Sequence, residues 1–415
     1  MRKIIALLAA ALMTTALAQV EIEVWHSLSE NYGAPQFQEY AEEFNAMQDD
    51  IRINVSYAGE YTEALRKSQA SVAAGRAPSL VMFEQTRGAG FVDAGAVTPL
   101  TSFIENDPDF DFDDLFEPLL GACQIDDELW CLPYNPSTPL IYYNKDLFRE
   151  VGLDPEEDFP TTWDELLEVG PKFAVEGSNG ELERWGFGLA HAPGWLFDAW
   201  LGQAGGRYLA EDRSEFVFND ENAVEMLEFW LELVEAKAAV PSGSQTPDFF
   251  GGNQAMMAGS TATLASNFER ADFDIGAAPM WCGEECYVPF GGANMYIMSA
   301  ASEEEQQAAY EYLKWLTSTE KAAEFAAATG YMAPRQSSLE TETLQNRFEE
   351  LPEALITYEQ MESHGYPRTL VPFWGEVHNQ LTLITERVLL NGDDPQAALD
   401  DGVEEANRLL QIYAQ

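Results

Sequence analysis

The chain has 415 residues, of which 71 are Asp or Glu and 22 are Lys or Arg, for a formal net charge of −49. So acidic a surface repels nucleic acid and anionic lipid, and excludes both as partners. Its 10 Trp, 16 Tyr and 24 Phe nevertheless mark a folded chain, and its length exceeds what one core normally holds, so two domains are expected.

Arg2 and Lys3 precede an apolar run from Ile4 to Met13, and Ala16-Leu17-Ala18 offers the small residues that signal peptidase reads. The run is too short for a permanent membrane anchor. Residues 1–18 are therefore expected to be a cleaved signal peptide, with the mature chain beginning at Gln19 in the periplasm or outside the cell. Loss of Arg2 and Lys3 takes the formal charge from −49 to −51.

VEIEVWHS at 20–27 alternates like a first strand, Ala34 to Met47 has helical spacing, and IRINVSYAG at 51–59 alternates again. Tyr61 to Ala74 reads as a helix, SLVMFE at 79–84 as a buried strand, and Gly88 to Ala94 leads to the next turn. A β-α-β-α-β series predicts a mainly parallel sheet with helices on both faces. Ligands in such sheets sit at the carboxyl ends of the strands, which singles out Ser27, Tyr61 and Glu84. The acidic DPDFDFDD stretch at 107–114 lacks the glycine and terminal glutamate of a calcium loop, so it is read as a solvated loop.

Two local cysteine pairs follow, Cys123 with Cys131 and Cys282 with Cys286. In an exported chain these are expected to be disulfides, the first bracketing a hairpin that turns at Asp126-Asp127, the second closing a Gly-Glu-Glu loop. Neither pair has CxxC spacing, so no zinc site is expected. Beyond residue 140 the α/β pattern restarts with the strand LIYYN and a helix from Lys145 to Val151. Thr162 with Glu165 and Ser302 with Glu305 read as capping boxes, the second opening a helix that runs to Leu316. Pro395 to Tyr413 is an amphipathic closing helix. No low-complexity linker divides the chain, so short rigid crossings between the two domains are expected.

Nucleophile elbows, HExxH, Walker A and strand-linked GxGxxG motifs are all absent. The four histidines, His26, His191, His364 and His378, show no metal-ligand spacing to one another. No catalytic residue, metal or cofactor is therefore assigned, and binding is favoured over chemistry. The alternatives are a secreted carbohydrate-active hydrolase using a cleft carboxylate pair, and a structural envelope protein that no solute would stabilise.

The residues then resemble a family. VWHSLSENYG near the mature start, AGRAPSLVMFE at 74–84, LPYNPSTPLIYYNKDLFREVGLDP at 132–155, PTTWDEL at 160–166, ATGYMAPR at 328–335 and DPQAALDDGVEEANRLL at 394–410 are similar to the solute-binding proteins of ABC importers. The likeness spans essentially the whole mature chain, and falls within the cluster that binds maltose, trehalose and glycerol 3-phosphate, closest to the glycerol-3-phosphate members. It implies the two-lobed periplasmic binding protein type II fold, an α/β architecture with a mainly parallel sheet in each lobe and the ligand between them. Lobe 1 would be 19–132 with 290–333 and lobe 2 would be 133–289 with 334–415, with hinge crossings near 132–138, 287–293 and 332–337. It also implies hinge closure around a small solute (a glycerol phosphate, glycerophosphodiester, sugar or polyol) and delivery to a membrane permease by a monomer.

By the same resemblance Tyr61, Glu84, Ser137, Ser260, Gly292 and Tyr331 would contact ligand, with Trp195 as a looser aromatic platform. One departure stands out. The phosphate-pairing arginine of the glycerol-phosphate members aligns with Asn379, so Arg368 in GYPRTLVPFW, or Arg335 after the TGY motif, is the remaining candidate to supply that charge. If neither reaches the site, the implied ligand is neutral.

Overall fold

The computed structural model describes residues 19–126, 128–190 and 194–413. The expected signal peptide, Asp127 of the hairpin turn and His191 lie outside the described residues. None of the described helices is long and apolar enough to cross a membrane.

Two five-strand paths form the centre of the molecule. In the first sheet the strands run Ile51–Tyr57, Val20–His26, Leu80–Glu84, Ala293–Ile297, Leu132–Pro133. In the second they run Ala239–Ser242, Leu182–Ala190, Gln254–Ser260, Pro139–Asn144, Ile275–Ala278. The first three strands of each path are parallel, while the last two join antiparallel. Each sheet is thus mainly parallel in strand direction, as expected, with a single strand of each path, Ala293–Ile297 or Pro139–Asn144, running against the others. A parallel neighbour needs a crossover that returns the chain to the same end of its own sheet. Ala293–Ile297 and Pro139–Asn144 instead enter from segments that leave the other sheet, so they run the opposite way.

Each sheet has its own core. Phe37, Leu80, Tyr296 and Tyr312 centre the first, and Phe148, Trp200, Trp230 and Trp281 the second. Pro139–Asn144 is buried along its whole length. Ile141 and Tyr143 join the large second core, while Leu140 and Tyr142 join a smaller cluster on the opposite face with Phe249. The period of two in a strand covered on both faces explains why LIYYN is continuously apolar and aromatic.

Local sequence signals explain most of the element ends. The helix Ala34–Met47 and the closing helix Pro395–Tyr413 have the bounds their periodicity predicts. Ser302 and Glu305 form both halves of a capping box on the helix Glu303–Leu316. At the other expected box Thr162 accepts from the Glu165 amide, but the Glu165 carboxylate takes the amide and hydroxyl of Thr161 at 2.7 and 2.8 Å. The preceding threonine offers two donors where a cap amide offers one.

Both cysteine pairs are disulfides, with Cα separations of 4.9 Å for Cys123–Cys131 and 4.4 Å for Cys282–Cys286. The first brackets a short hairpin of Gln124–Ile125 with Glu128–Leu129. The acidic stretch is only partly the solvated loop expected. Asp107 binds Lys314 at 2.6 Å and Tyr310 at 3.0 Å, and Asp114 receives Arg335 and Ser337. These two carboxylates clamp the loop to distant elements, which sequence spacing does not reveal.

His26 ends the first strand with 6% of its surface exposed, between the rings of Phe37 and Tyr57, and its Nδ1 has no partner among the described residues. Burial pushes its pKa down to about 4, against a smaller opposing effect of the Leu28 backbone. A depressed histidine binds protons less readily folded than unfolded, so stability rises with pH between the two values. Stability is therefore expected to fall as pH drops from about 6.5 towards 4, by at most roughly 3 kcal/mol at 1.36 kcal/mol per pH unit. Urea unfolding across that range, compared with His26→Phe, checks this: the variant has the flatter profile, and equal slopes would refute it.

Candidate ligand-binding site

Three chain segments meet side by side between the two sheets. Ser137 and Gly291 exchange both main-chain hydrogen bonds, at 3.1 and 2.8 Å, and the Met332 amide donates to the Pro136 carbonyl at 2.8 Å. The Gln85 side chain donates to the Gly291 carbonyl at 2.9 Å, tying the end of Leu80–Glu84 to the same junction. Gly292 has φ +90°, and a β-carbon there would lie 1.9 Å from the Asn135 carbonyl oxygen. Close approach of two backbones therefore requires glycine at this point.

Above this junction lies a cavity of about 320 Å³. Eight of the residues singled out from the sequence line it: Tyr61, Glu84, Ser137, Trp195, Ser260, Gly292, Tyr331 and Arg368. Glu84 sits at the end of its strand and Tyr61 opens the helix Tyr61–Ala73. With Ser27 they place three strand-end positions of the first sheet on one wall, as the topology predicts. Trp195 precedes the helix Leu196–Gln203, and a β-carbon on Gly291 would meet its ring at 2.7 Å. Ser260 both lines the cavity and caps the following turn through the Ala262 amide at 3.1 Å.

A four-charge cluster forms the polar wall. Arg368 donates through Nη1 to Glu84, and through Nε to Asp198 at 2.6 Å. Asp198 also accepts from the Tyr208 hydroxyl, and Glu84 accepts from Thr86 Oγ1 at 2.6 Å. Arg87 Nε lies 3.6 Å from Glu84. Arg368, Glu84 and Asp198 have side chains only 5%, 11% and 4% exposed. Burial opposes the Arg368 charge, but Asp198 and Glu84 together outweigh it and hold the pKa above its ordinary value. Burial lowers Arg87, with Glu84 opposing, and lowers His378 on the same wall, with Arg368 adding to the effect. Two arginines and two carboxylates leave the cluster without net charge.

One further polar group on the cavity wall lacks a partner. Ser27 Oγ is buried and unbonded among the described residues. Asn135 stands near the hydroxyls of Tyr61 and Tyr331, both raised in pKa chiefly by burial. Buried polar groups without partners cost about 1–3 kcal/mol each, so this wall is suited to receive a polar guest. Among the described residues no cluster of three His, Cys, Asp or Glu side chains is arranged to hold a metal ion.

Of the two arginines weighed as a phosphate partner, one falls elsewhere. Arg335 is buried away from the cavity, held by the carbonyls of Thr317 and Asp111 and by Asp114. Asn379, where the family's arginine would stand, lines a neighbouring cavity, and His378, one residue earlier, lines both. Arg87, Thr86, Trp374 and His378 join the wall and Asp198 backs it, and sequence reasoning named none of them as ligand contacts. Arg87 and Thr86 follow Glu84 so closely that the strand-end rule, extended by one turn, would have found them. For Asp198 no local signal exists, because its partner Arg368 lies 170 residues away.

A family profile described as bacterial extracellular solute-binding protein matches residues 39–352. The chain belongs to that family. Among relatives of the bacterial extracellular solute-binding proteins, the sn-glycerol-3-phosphate-binding periplasmic protein UgpB of Yersinia pseudotuberculosis is 29% identical, over 96% of this chain and 94% of its own. UgpB of Escherichia coli strain 536 is 29% identical over 97% and 95%. In three dimensions UgpB of Mycobacterium tuberculosis, solved with glycerophosphocholine, superposes with a TM-score of 0.86 at 23% identity, covering 95% of this chain and 99% of that one. Lmo0181 of Listeria monocytogenes, an ABC substrate-binding protein solved with cycloalternan, gives 0.82 at 21% identity, covering 95% and 99%. At these identities the solved structures establish the two-lobed periplasmic binding protein fold and nothing finer.

Proposed function

We propose that the chain is the solute-capturing component of an ABC importer, exported by its N-terminal leader and working as a monomer. It closes two lobes, 19–132 with 290–333 and 133–289 with 334–415, around a small polar solute and delivers it to a membrane permease. The observation that carries this reading is the gathering of eight of the expected residues around one cavity between the sheets. The three junction segments are the hinge. Because Glu84 ends a strand of the first sheet and Arg368 precedes a helix packed in the second core, solute held between them contacts both lobes. Only such differential contact shifts a hinge equilibrium towards closure.

The charge balance narrows the solute. Arg368 is already committed to two carboxylates, so a doubly charged phosphate would enter with Arg87 alone to offset it. A neutral sugar or polyol, or a singly charged glycerophosphodiester, suits the cluster better than glycerol 3-phosphate. Glu84 and Asp198 share one guanidinium, an arrangement for orienting hydroxyls rather than for protonating a glycosidic oxygen.

A thermal-shift screen of glycerol 3-phosphate, glycerophosphocholine, maltose, trehalose and glycerol tests this. One solute is expected to raise the melting temperature saturably without being turned over, with about 2.7 kcal/mol of stabilisation at a hundredfold excess over Kd. Glu84→Ala is expected to lose at least tenfold in affinity. Absence of any stabilisation, or full affinity in Glu84→Ala, refutes the site.

A further inference from the structure

One short helix, Ile356–His364, reaches all three junction segments. None of its residues lines the cavity against Glu84 and Arg368. Its Thr357, Tyr358 and Gln360 are nevertheless only 2%, 5% and 3% exposed. Gln360 Nε2 donates to the Pro139 carbonyl at 3.0 Å and to Thr138 Oγ1 at 3.2 Å, directly after Ser137. Thr357 Oγ1 lies 3.0 Å from the same Thr138 hydroxyl. The Ala333 amide donates to the Tyr358 hydroxyl at 2.9 Å, next to Met332, whose own amide is bonded to Pro136. The helix then runs directly into Gly365–Tyr366, which pairs in parallel with Val288–Pro289, and the Phe290 amide donates to the Tyr366 carbonyl at 3.0 Å. Arg368 follows two residues later.

Gln360 carries the most of these bonds. Its Oε1 accepts from the Met280 amide at 2.8 Å while its Nε2 gives to Pro139 and Thr138. Ile275–Ala278 and Pro139–Asn144 are antiparallel neighbours with Ala278 opposite Ile141, so Met280 stands opposite Pro139 two residues past the last pair. The ladder has ended there, and the two main chains are joined through the Gln360 side chain instead. A main-chain amide can only donate and a main-chain carbonyl can only accept, and a neutral side-chain amide offers the complement of both. The start of the crossing is thereby tied to the edge strand of the second sheet by a residue 221 positions further along the chain.

Resting on the reading of the three segments as a hinge around a solute site, we propose that Gln360 is a positioning residue for solute binding. By pinning Thr138 and Pro139 to Met280 it fixes where Ser137 stands in the cleft, and it touches no solute itself. A closed cleft needs Ser137, Gly292 and Tyr331 in one relation. Where the first crossing is loose, the solute has to order what the protein otherwise holds already, and affinity falls by that cost.

Three variants test it. Gln360→Met keeps the stem and removes all three bonds, and Thr357→Val, nearly isosteric, removes only the contact with Thr138. Asn45→Leu is the control: the Asn45 side chain likewise bonds a main-chain amide and carbonyl, both of Ile53, at 2.7 and 2.9 Å, but on the edge of the first sheet opposite the crossing strands. Calorimetric titration with glycerol 3-phosphate, glycerophosphocholine, maltose, trehalose and glycerol is paired with amide hydrogen exchange of the solute-free chains, at a temperature where each is folded. For a solute that binds the wild-type chain, Gln360→Met is expected to lose about tenfold in affinity and Thr357→Val about threefold, with Asn45→Leu within about twofold of wild type. Exchange is expected to quicken at 136–140 and 332–334 in Gln360→Met, and at 51–57 alone in Asn45→Leu. Unchanged affinity in Gln360→Met, a loss no larger than that of Asn45→Leu, or unchanged exchange at the crossings overturns the positioning role alone. Should Gln360→Met not fold, unchanged affinity in Thr357→Val overturns it. Failure of every solute to bind the wild-type chain overturns the solute-binding reading and the positioning role with it.

Discussion

Arg368→Met is expected to lower folding stability by roughly 3–5 kcal/mol, the usual cost of removing one partner from a buried ion pair. Methionine keeps most of the stem volume, so the loss reports the missing charge rather than a cavity. Glu84 and Asp198 would remain at 11% and 4% side-chain exposure without the guanidinium both rely on. Adding Glu84→Gln and Asp198→Asn to the same chain is expected to recover most of the loss, because neutral amides carry no charge to desolvate. Chemical denaturation of the wild type, Arg368→Met, Glu84→Gln with Asp198→Asn, and the triple variant measures this as a thermodynamic cycle. A cost below about 1 kcal/mol for Arg368→Met would place the cluster among ordinary hydrated surface pairs.

Gly292→Ala is expected to be nearly as damaging. The residue needs φ +90°, and its β-carbon would lie 1.9 Å from a backbone oxygen that is itself fixed at the three-segment junction. The backbone conformation alone costs a non-glycine residue about 1–3 kcal/mol, and relieving the overlap requires the Asn135 and Gly292 segments to part. A total of about 3 kcal/mol or more is expected, or a fall of roughly 6–12 °C in melting temperature at 2–4 °C per kcal/mol. Gly75→Ala is the control, with φ +65° and nothing within 4 Å of its β-carbon, and should lose only about 1 kcal/mol. Equal losses at the two glycines would show that the junction yields freely. Such a junction could not fix the position of Ser137 or Tyr331.

How much of the site was legible depends on where the information lies. Ser27, Tyr61 and Glu84 follow from strand and helix periods combined with the strand-end rule, because each sits within a few residues of an element end. Ser137, Gly292 and Tyr331 were reachable only through family resemblance. Nothing in NPSTP, GGA or TGY announces that these three segments, distant in the chain, run side by side.

The sequence alone determined what depends on short-range patterns. It set the first three strands of the first sheet with the helices between them, the paired cysteines, the Ser302 capping box, and a charge that repels nucleic acid. Tertiary structure alone decided the direction of the crossing strands, the clamping of the acidic loop by Lys314 and Arg335, and the neutral four-charge wall of the cleft. The reason is physical. Local backbone preferences act between residues within a turn or two of each other, whereas a buried arginine between carboxylates 284 and 170 residues away becomes favourable only after folding has removed the water that would otherwise solvate each charge.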